Sequence, residues 1–506
     1  MTINEYLNNL GFKINPFQFS NADKETEFLS DYFIKPDYFE DIWGNPYEPV
    51  SSIIYAPRGA GKTAQRVMIE KRTKDHDDIL GISYTNHDLT EFKSINEISL
   101  SYHLTFLNRL LLVSLFKRVE DDSFNFDEVY SFIERQYIYK IARIYLYNTP
   151  ASFPNQAISS LKTLTDRAVD LWNGFKEPIT NVIKQITKSK GLEIDLSKIE
   201  IDKKLEISHK DNFFNIIELL VKANYNSIFI LIDKVDEQSL TGNNPEASYK
   251  LIEDLIKDLE LLETPKVSFK FFLWDALKPY TAISARPDRV FSYDLNWDWG
   301  QISNMLDKRV ESYSDGKIKN FIAMFANKKL FGRIILFSDL SPRDCIRICY
   351  RIISEQFKKD ENSRVFDEDI VHSSIEHFCM DKAKELITNE NNFRYLIKTE
   401  QVSFTIEELV TNKVASDVAA VRNIINPWQT AEYLRKIGIV PRKTGKAVNE
   451  YAFHDIRIAF TACPKLGLLE FINQKIRRCK TDTCKNIYYR DFNRKQYLCP
   501  KCNTIN

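Results

Sequence analysis

The sequence predicts an α/β fold with a central parallel sheet, and three short apolar runs carry this prediction. The first run, residues 52–56, leads directly into a glycine-rich turn and then into a helical pattern. The second run begins at residue 226 and ends in a group of acids at 233–237, and the third covers residues 267–275. Continuous apolar runs of this length are typical of strands buried on both faces of a parallel sheet. Because ligands of such sheets bind at the carboxyl ends of the strands, we expect the chemistry to lie there.

The turn after the first run has the spacing of a phosphate-binding P-loop. Gly59 and Gly61 let the backbone pass close to a phosphate, and the backbone N–H groups at the following helix N-terminus favour an anion. Lys62 can reach the β- and γ-phosphates of a nucleotide, and the Thr63 hydroxyl can ligate Mg²⁺. Ala56 stands where the motif usually has its first glycine, which fits a backbone with negative φ. The predicted cofactor-binding residues of this loop are Pro57, Arg58, Gly59, Ala60, Gly61, Lys62 and Thr63.

Three acids follow the second apolar run. Asp233 comes at the end of the predicted strand, so we expect it beside the P-loop as a partner of Mg²⁺. Asp236 or Glu237 would then orient or activate the attacking water, and the sequence leaves this choice open. An ordinary strand followed by a charged turn is the alternative interpretation, which the P-loop makes the weaker one. Together the two motifs predict an ATP-hydrolysing site with ATP and Mg²⁺ as its ligands.

Residues 232–237, Ile-Asp-Lys-Val-Asp-Glu, resemble the acidic motif of STAND-type ATPases, including NACHT proteins. The same segment is similar to that of the origin-initiator clade of AAA+ ATPases. Both groups are P-loop switches that often carry a winged-helix domain after the ATPase core. The resemblance covers roughly residues 11–360, and it implies a P-loop NTPase sheet followed by a helical lid domain.

Further site residues are implied only by this resemblance. The Pro342–Arg343 pair resembles the start of a sensor-2 helix, which implies that Arg343 contacts the γ-phosphate. The sensor-1 polar residue would be Asp275 or Ser284, at or after the third apolar run. Any arginine finger would be one of three residues, although an ordinary surface or ion-paired arginine is the stronger interpretation of each. These three are Arg286, Arg289 and Arg309.

Four cysteines near the end of the chain predict a zinc ribbon. They form two pairs that bracket fourteen residues, and all-thiolate sites of this kind are tetrahedral and structural. Eight cysteines in 506 residues, with no signal peptide, favour a reducing compartment and therefore a metal over disulfides. The predicted Zn²⁺ ligands are Cys479, Cys484, Cys499 and Cys502.

Charge is unevenly distributed along the chain. Lysine and arginine together balance aspartate and glutamate at 70 each, so the net charge is zero. Residues 435–506 nevertheless hold sixteen basic and five acidic side chains, a formal charge of +11 before any thiolates are counted. A basic tail on an acidic body is expected of a nucleic-acid-binding region, so DNA is the predicted partner.

The segment before the cysteines predicts a winged helix. A helix is expected over residues 428–437, stopped at Gly438, and strands are expected at 439–440 and 450–455 around a basic turn. In a winged helix, one helix enters the major groove and the wing contacts phosphates. Such domains also bind proteins, and this alternative stays open.

The pattern along the chain predicts four domains. Residues between about 97 and 190 show helical apolar spacing, which indicates an insertion that senses a partner, builds an oligomer contact or simply packs on the core. The predicted domains are the ATPase core at 1–300, a helical lid at 301–394, a winged-helix-like domain at 395–472 and the zinc ribbon at 473–506.

The predicted function is an ATP-binding and ATP-hydrolysing switch that acts on DNA through its basic C-terminal region. By resemblance, the setting would be phage defence, mobile-element control or replication control. The alternative is a nucleotide-gated scaffold with little turnover that recruits a partner protein. We expect a cytoplasmic protein, with a homo-oligomer or an effector protein as further partners. The longest apolar segment, residues 104–116, contains Asn108 and Arg109 and is too short to span a membrane.

Overall fold

The computed structural model describes residues 1–120, 124–147, 149–150, 152–161, 188, 208–441, 446–481, 484, 486–491, 499, 502 and 504. The chain divides into two compact units. The core unit is Asn21–Asn296, and the second unit combines Met1–Ser20 with Trp297–Asn506. The P-loop and the acidic motif therefore belong to the same unit.

A five-stranded parallel sheet forms the centre of the core unit. Its strand order is β2-β3-β4-β1-β5, and all four neighbouring pairs are parallel. The strands predicted at the three apolar runs are confirmed, and the core unit has the α/β P-loop NTPase fold that they predict. The strands are β1 (Ser52–Ala56), β2 (Ile79–Tyr84), β3 (Ser227–Ile232), β4 (Val267–Trp274) and β5 (Phe291–Asp294).

Helices cover both faces of this sheet. Short 3-10 turns at Ala22–Lys24, Ile95–Glu97, Val235–Glu237 and Asp275–Leu277 join some of the elements. Helix α1 (Ile3–Leu10) precedes the core unit and belongs to the second unit. The helices of the core unit are α2 (Leu29–Tyr32), α3 (Phe39–Trp43), α4 (Lys62–Lys74), α5 (Leu100–Glu120), α6 (Phe126–Val129), α7 (Phe132–Leu146), α8 (Phe153–Ser160), α9 (His209–Lys222), α10 (Pro245–Lys257), α11 (Leu259–Leu262) and α12 (Lys278–Ser284).

The side chains of β3 show how the sheet is buried on both faces. Ile228, Ile230 and Ile232 join a large apolar cluster with residues of α5, α7, α9 and α10. Phe229 and Leu231 point to the opposite face, where a smaller cluster includes residues of α3 and α4. This alternation is the period-2 pattern of a strand, and it explains why the run reads as continuously apolar in the sequence.

The sensor-1 candidate Ser284 belongs to an apolar segment, residues 280–286, most of which lies in helix α12. Pro279 lies in the first turn of this helix, where its missing N–H costs nothing. Ile283 is 89 % exposed and Thr281 is fully buried, so the run is a surface helix with one inward position. The sensor-1 candidate Ser284 is the last residue of α12.

Helices α5, α7 and α8 lie within the predicted insertion at 97–190, and several of their side chains join the large cluster on the sheet. Residues 121–123, 148, 151, 162–187 and 189–190 of that prediction fall outside the described part of the chain, and a separate role for the insertion stays a prediction. Among the residues that the structure describes, no helix, α5 included, is both long and apolar enough to cross a membrane.

The second unit is mainly helical and also contains two small antiparallel sheets. A three-stranded sheet has the order β6-β8-β7, and β9 pairs with β10 in a hairpin. The strands are β6 (Ser403–Thr405), β7 (Leu434–Val440), β8 (Val448–Phe453), β9 (Ile476–Arg478) and β10 (Ile487–Tyr489). The helices are α13 (Trp299–Tyr313), α14 (Lys328–Phe337), α15 (Pro342–Lys359), α16 (Glu368–Leu386), α17 (Glu390–Lys398), α18 (Ile406–Thr411), α19 (Val418–Thr430), α20 (Ile456–Thr461) and α21 (Leu468–Lys475).

The helix predicted at 428–437 is wrong in its position. Helix α19 begins ten residues earlier, after the Asp417 cap, and ends at Thr430. Glu432 then adopts a left-handed backbone with φ 57°, which a right-handed helix cannot contain. From Leu434 onward the chain pairs with β8, and this pairing overrides the helical preference of the local sequence. The basic turn that was expected to follow includes residues 442–445, which lie outside the described residues.

Candidate functional site

The glycine-rich loop joins β1 to α4 in the geometry that phosphate binding requires. Gly59 and Gly61 have φ of 82° and 101°, in the left-handed region that glycine adopts without strain. Gly61 is the N-cap of α4, and no acidic side chain lies in the first turn of this fully described helix. The backbone N–H groups of that turn therefore form a positive helix end without a carboxylate of their own. An anion is the natural partner for such a helix end.

Lys62 and Thr63 begin helix α4. The Lys62 ammonium donates to the carbonyl oxygens of Ala56 and Pro57 at 3.2 and 3.4 Å. The Thr63 hydroxyl donates to Oδ2 of Asp233 at 2.9 Å, across 170 residues of sequence. The loop thus places its cation within the turn and its hydroxyl on the acidic motif.

Asp233 follows β3 directly and is almost completely buried. Its Oδ1 accepts the backbone N–H of Lys234 at 2.8 Å. Its Oδ2 accepts both the Thr63 hydroxyl and the Arg66 Nε–H, the latter at 3.2 Å. Lys234 adopts a left-handed backbone with φ 61°, a conformation that is uncommon for a residue with a side chain. This turn directs the acid at the P-loop.

Asp236 and Glu237 lie together on the 3-10 turn after Asp233, in different environments. Asp236 is 6 % exposed, and its Oδ2 accepts the Arg58 Nε–H at 2.9 Å. The Arg58 guanidinium also stacks 3.9 Å above the Trp274 ring. Glu237 is exposed to solvent. Sequence reasoning assigned Arg58 only to the loop and missed this second link between the loop and the acids.

The donors present fit a magnesium nucleotide. Mg²⁺ prefers hard oxygen ligands and is usually held by one or two carboxylates together with substrate phosphates. The Thr63 hydroxyl and the Asp233 carboxylate are two such donors, already within hydrogen-bond distance of one another. Lys62 and the N–H groups of the loop are suited to the phosphates. The assignment of these residues to ATP and Mg²⁺ remains a prediction that their geometry favours.

The two sensor-1 candidates have different surroundings. Asp275 begins the 3-10 turn after β4; burial raises the pKa of its carboxyl, and the positive charge of Lys62 lowers it in part. This electrostatic contact places Asp275 in the neighbourhood of the P-loop lysine. The Ser284 hydroxyl donates to the carbonyl oxygens of Tyr280 and Thr281, within its own helix.

The arginines predicted as sensor 2 and as arginine fingers lie in different environments. Arg343 belongs to the second unit and lies half-buried in the first turn of α15, where Pro342 opens the helix. Arg286 and Arg289 form exposed ion pairs with Asp288 and Glu263. The buried Arg309 donates to the backbone carbonyls of Pro16 and Phe19. A nucleotide-contacting role for any of these arginines stays a prediction.

The four cysteines near the end of the chain form one cluster. Their sulfur atoms all lie within 4.8 Å of one another. Cys479 Sγ is 3.6 Å from Cys502 Sγ, and Cys484 Sγ is 3.7 Å from Cys499 Sγ. A disulfide needs about 2.05 Å, whereas tetrahedral zinc with Zn–S bonds of about 2.3 Å separates its sulfurs by roughly 3.8 Å. The four-cysteine cluster therefore could hold a zinc ion.

The segment after β10 joins this cluster to the three-stranded sheet. Asp491 Oδ2 accepts the backbone N–H groups of Val402 and Ser403 at 3.1 and 3.0 Å. Arg490 pairs with Glu450 of β8 at 3.0 Å, and both side chains are buried. Because these contacts are buried or bind backbone, they hold the hairpin and the sheet as one body.

Exposed cations lie on both parts of this body. Arg435 and Lys436 are exposed on β7, Lys446 lies just before β8, and Arg478 ends β9. The four-cysteine cluster and the β7–β8 hairpin thus both carry positive charge at the surface. Base recognition is not needed for such side chains to bind phosphates.

Comparisons with known proteins add little to this geometry. No protein-family model matches the chain, and no curated protein matches it. The Orc1 protein of Aeropyrum pernix, solved in complex with DNA, aligns with a TM-score of 0.37 at 10 % identity, over 88 % of this chain and 92 % of that one. The ORC2 protein of Aeropyrum pernix, solved as ADPNP-ADP complexes, aligns with a TM-score of 0.37 at 9 % identity, over 87 % and 92 %. Similarity at this level carries no argument about function.

Proposed function

We propose that this protein is a P-loop ATPase whose nucleotide cycle controls a DNA-binding C-terminal region. The observation that carries the proposal is the contact between the Thr63 hydroxyl and the Asp233 carboxylate beneath the glycine-rich turn. It brings a hydroxyl, a carboxylate, the Lys62 ammonium and a positive helix end to one edge of a parallel sheet. This set of groups matches the needs of phosphoryl transfer, in which the protein mainly positions the groups and neutralises charge.

Each residue would have a separate part in hydrolysis. Bound Mg²⁺ would supply charge neutralisation on the β- and γ-phosphates. Thr63 and Asp233 would hold the metal, and Lys62 would exchange its present carbonyl partners for phosphate oxygens. Asp236 or Glu237 would orient the water whose oxygen attacks the γ-phosphorus as the bond to the ADP oxygen breaks. The products would be ADP and inorganic phosphate, and the proton of the water would pass to the acid and then to solvent.

DNA is proposed as the partner because of the charge and layout of the C-terminal region. The order β6, α18, α19, β7, β8 is consistent with the predicted winged-helix-like domain, and exposed cations lie on its hairpin. The four-cysteine cluster anchored beside it adds a second cationic element. We propose that these two elements bind the phosphate backbone and that Zn²⁺ fills the cluster as a structural metal.

One observation favours a second function, a nucleotide-gated scaffold with little turnover. Asp236, one of the two candidate acids for water, is already paired with Arg58. A guanidinium that stays on this carboxylate would leave it unable to accept a proton from water. In that case ATP binding would change the shape of the protein without fast hydrolysis, and a partner protein would read the change.

Steady-state ATP hydrolysis by zinc-replete protein, with and without duplex DNA, separates the two functions. The matched variant is Lys62→Ala, which removes the phosphate-binding amine. Turnover that rises with DNA and is lost in Lys62→Ala supports the DNA-coupled ATPase. Turnover that ignores both DNA and Lys62, or no turnover at all, contradicts it and favours the scaffold.

Single substitutions identify the acid that acts on water. We expect Asp233→Asn to weaken metal binding, and either Asp236→Asn or Glu237→Gln to lower kcat by about 10²-fold or more, as loss of a general base does. Circular dichroism and ATP-analogue binding would check that each variant folds. Equal activity in all three variants would contradict the proposed site. Roles in phage defence, mobile-element control or replication control are the settings in which such a switch would act.

A further inference from the structure

Arg66 is a buried cation one turn into α4, and the P-loop motif does not include it. Its side chain is 3 % exposed and contacts three carboxylates from different parts of the core unit. Nη1 donates to Glu70 Oε2 at 2.7 Å and to Ser83 Oγ at 3.2 Å, while Nη2 contacts Asp23. Nε donates to Asp233 Oδ2 at 3.2 Å. Every nitrogen of the guanidinium therefore has its own acceptor.

This arrangement fixes the orientation of one carboxylate in particular. Asp233 Oδ2 is the oxygen that also accepts the Thr63 hydroxyl, and Oδ1 is held by the backbone of Lys234. The guanidinium is planar and rigid, so it sets the direction of the bond that it makes with Asp233. Glu70 and Ser83 in turn hold the guanidinium, and their own hydrogen bond is 2.7 Å long. The carboxylate that faces the P-loop thus has a chain of supports behind it.

The segment before the sheet takes part in this network through Asp23. Lys234 Nζ lies 2.6 Å from Asp23 Oδ2, so this carboxylate bridges Arg66 and Lys234. Although burial raises it, the two cations hold the pKa of Asp23 below its ordinary value. The whole network contains two positive side chains, Arg66 and Lys234, and three negative ones. The negative side chains are Asp23, Glu70 and Asp233. The surplus negative charge suits a neighbouring divalent cation.

We propose that Arg66 is a positioning residue that sets the Mg²⁺ affinity of the site by orienting Asp233, with Asp23 as its support from the N-terminal segment. The proposal rests on the proposed nucleotide site, because Asp233 is there the metal partner. It does not depend on DNA or on turnover. Partners that orient a metal-binding carboxylate typically contribute 10- to 100-fold, as an order of magnitude, to metal affinity.

Mn²⁺ binding tests the proposal without any hydrolysis. Electron paramagnetic resonance would measure the Mn²⁺ affinity of full-length protein saturated with a non-hydrolysable ATP analogue, and fluorescence would measure analogue binding in EDTA. Arg66→Lys keeps the charge but loses the planar fork, and we expect it to weaken Mn²⁺ binding by about 10-fold. Analogue binding in EDTA should stay within about 2-fold, since Lys62 and the loop are unchanged.

Two further variants keep this test decisive. Arg72→Lys is the matched control, because Arg72 lies on the same helix in a half-exposed ion pair with Glu40 and should leave both affinities unchanged. Asp23→Asn, at a side chain that is 30 % exposed, should weaken Mn²⁺ binding by about 3-fold even if Arg66→Lys does not fold.

The outcomes distinguish this proposal from the one on which it rests. An unchanged Mn²⁺ affinity in Arg66→Lys and Asp23→Asn would overturn the positioning role. So would a loss of ATP-analogue affinity in EDTA as large as the loss of Mn²⁺ affinity. Failure of the wild-type protein to bind the Mn²⁺–analogue complex would overturn the nucleotide site itself. The expected loss of Mn²⁺ affinity in the variants, together with no effect of DNA on turnover, would support the positioning role of Arg66 and contradict only the DNA-coupled function.

Discussion

Lys270 places an amine inside the parallel sheet of the core unit. The residue lies in the middle of β4, is 1 % exposed and donates to the backbone carbonyl of Val50. Burial lowers the pKa of its ammonium to about 7. A buried cation is costly in such a place, so above pH 7 the folded protein favours the neutral amine.

Stability should therefore depend on pH through Lys270. Between pH 7 and about 10 the unfolded chain holds this proton and the folded chain does not. By linkage, the free energy of unfolding therefore rises as the pH increases through this window, and it falls as the pH drops. Lys270→Met should be more stable than the wild type at pH 7, by about 1–3 kcal/mol, and the difference should shrink toward pH 10. Urea unfolding at several pH values measures this. Lys319→Met, at an exposed lysine, is the control, and a similar pH trend in it would contradict the assignment.

At the scale of elements, a buried arginine joins three parts of the second unit. Arg457 on α20 makes a two-pronged contact with Asp455, the N-cap of the same helix. Its Nη1 donates to the Ser338 carbonyl at 3.0 Å and lies 3.4 Å from Asp344, in the first turn of α15. Helix α15 also carries Arg343, and β8 ends just before Asp455. The arginine thus ties the predicted sensor helix to the end of the three-stranded sheet.

Removing this cation should destabilise the second unit strongly. Arg457→Met would remove the two-pronged partner of the partly buried Asp455 and one of the three cations beside the buried Asp344, and loss of a partner from a buried ion pair typically costs about 3–5 kcal/mol. Arg394→Gln breaks an exposed pair with Glu390 on α17 and should cost less than about 1 kcal/mol. Guanidinium unfolding followed by near-ultraviolet circular dichroism compares the two variants. Equal losses of unfolding free energy in the two variants would show that the buried network stabilises the unit no more than an exposed ion pair does.

The elements that the sequence predicts correctly are those with a strong local pattern. β1, β3 and β4 are continuous apolar runs, and this pattern arises because both faces of the sheet are covered. The helix predicted at 428–437 fails because residues from Leu434 onward pair with β8, which lies further along the chain. A local pattern cannot report a partner strand, so the sheet of the second unit is less predictable than that of the core.

In the candidate site too, contacts that follow from a local pattern are predictable and contacts between distant residues are not. The approach of Thr63 to Asp233 is predictable because Asp233 directly follows β3 and Thr63 begins the helix after the short loop that follows β1, so both lie at the carboxyl edge of the parallel sheet. The contact between Arg58 and Asp236 joins residues 178 positions apart, and that between Arg66 and Asp23 joins an early turn to a helix. No spacing in the sequence announces such pairs, since arginines and acids are common on every surface. Burial is the property that would have identified Arg66 as part of the site, and the burial of a side chain depends on the whole fold.

For the molecule as a whole, the surplus of positive charge lies in the stretch of sequence that includes β7, β8 and the four-cysteine cluster. Residues 435–506 carry the formal surplus of basic side chains, and Asp491 fixes the hairpin to the start of β6. Two cationic elements held at a fixed separation bind a rigid duplex with less loss of entropy than two independent ones. Metal and DNA binding should therefore be linked.

Metal removal tests this link. Chelation would take away the Zn²⁺ that we propose holds the four thiolates together, so we expect the β9–β10 hairpin to unfold and DNA affinity to fall. The slope of log affinity against log salt should decrease by about 0.9 for each phosphate contact that is lost. ATP-analogue binding should be unchanged, because its predicted site lies in the core unit. Fluorescence anisotropy measures both, and recovery on adding Zn²⁺ back is the control; unchanged DNA binding would contradict the link.

The position of β4 in the sheet has a mechanical consequence. The P-loop follows β1 and the acidic motif follows β3, yet both strands pair with β4 and not with each other. The two halves of the site are thus held apart by one intervening strand, at roughly twice the 4.8 Å strand spacing. Bulk added or removed in β4 would change this gap by fractions of an ångström without touching the nucleotide. Such substitutions should therefore change the distance between the P-loop and Asp233, and the Thr63–Asp233 hydrogen bond should respond first.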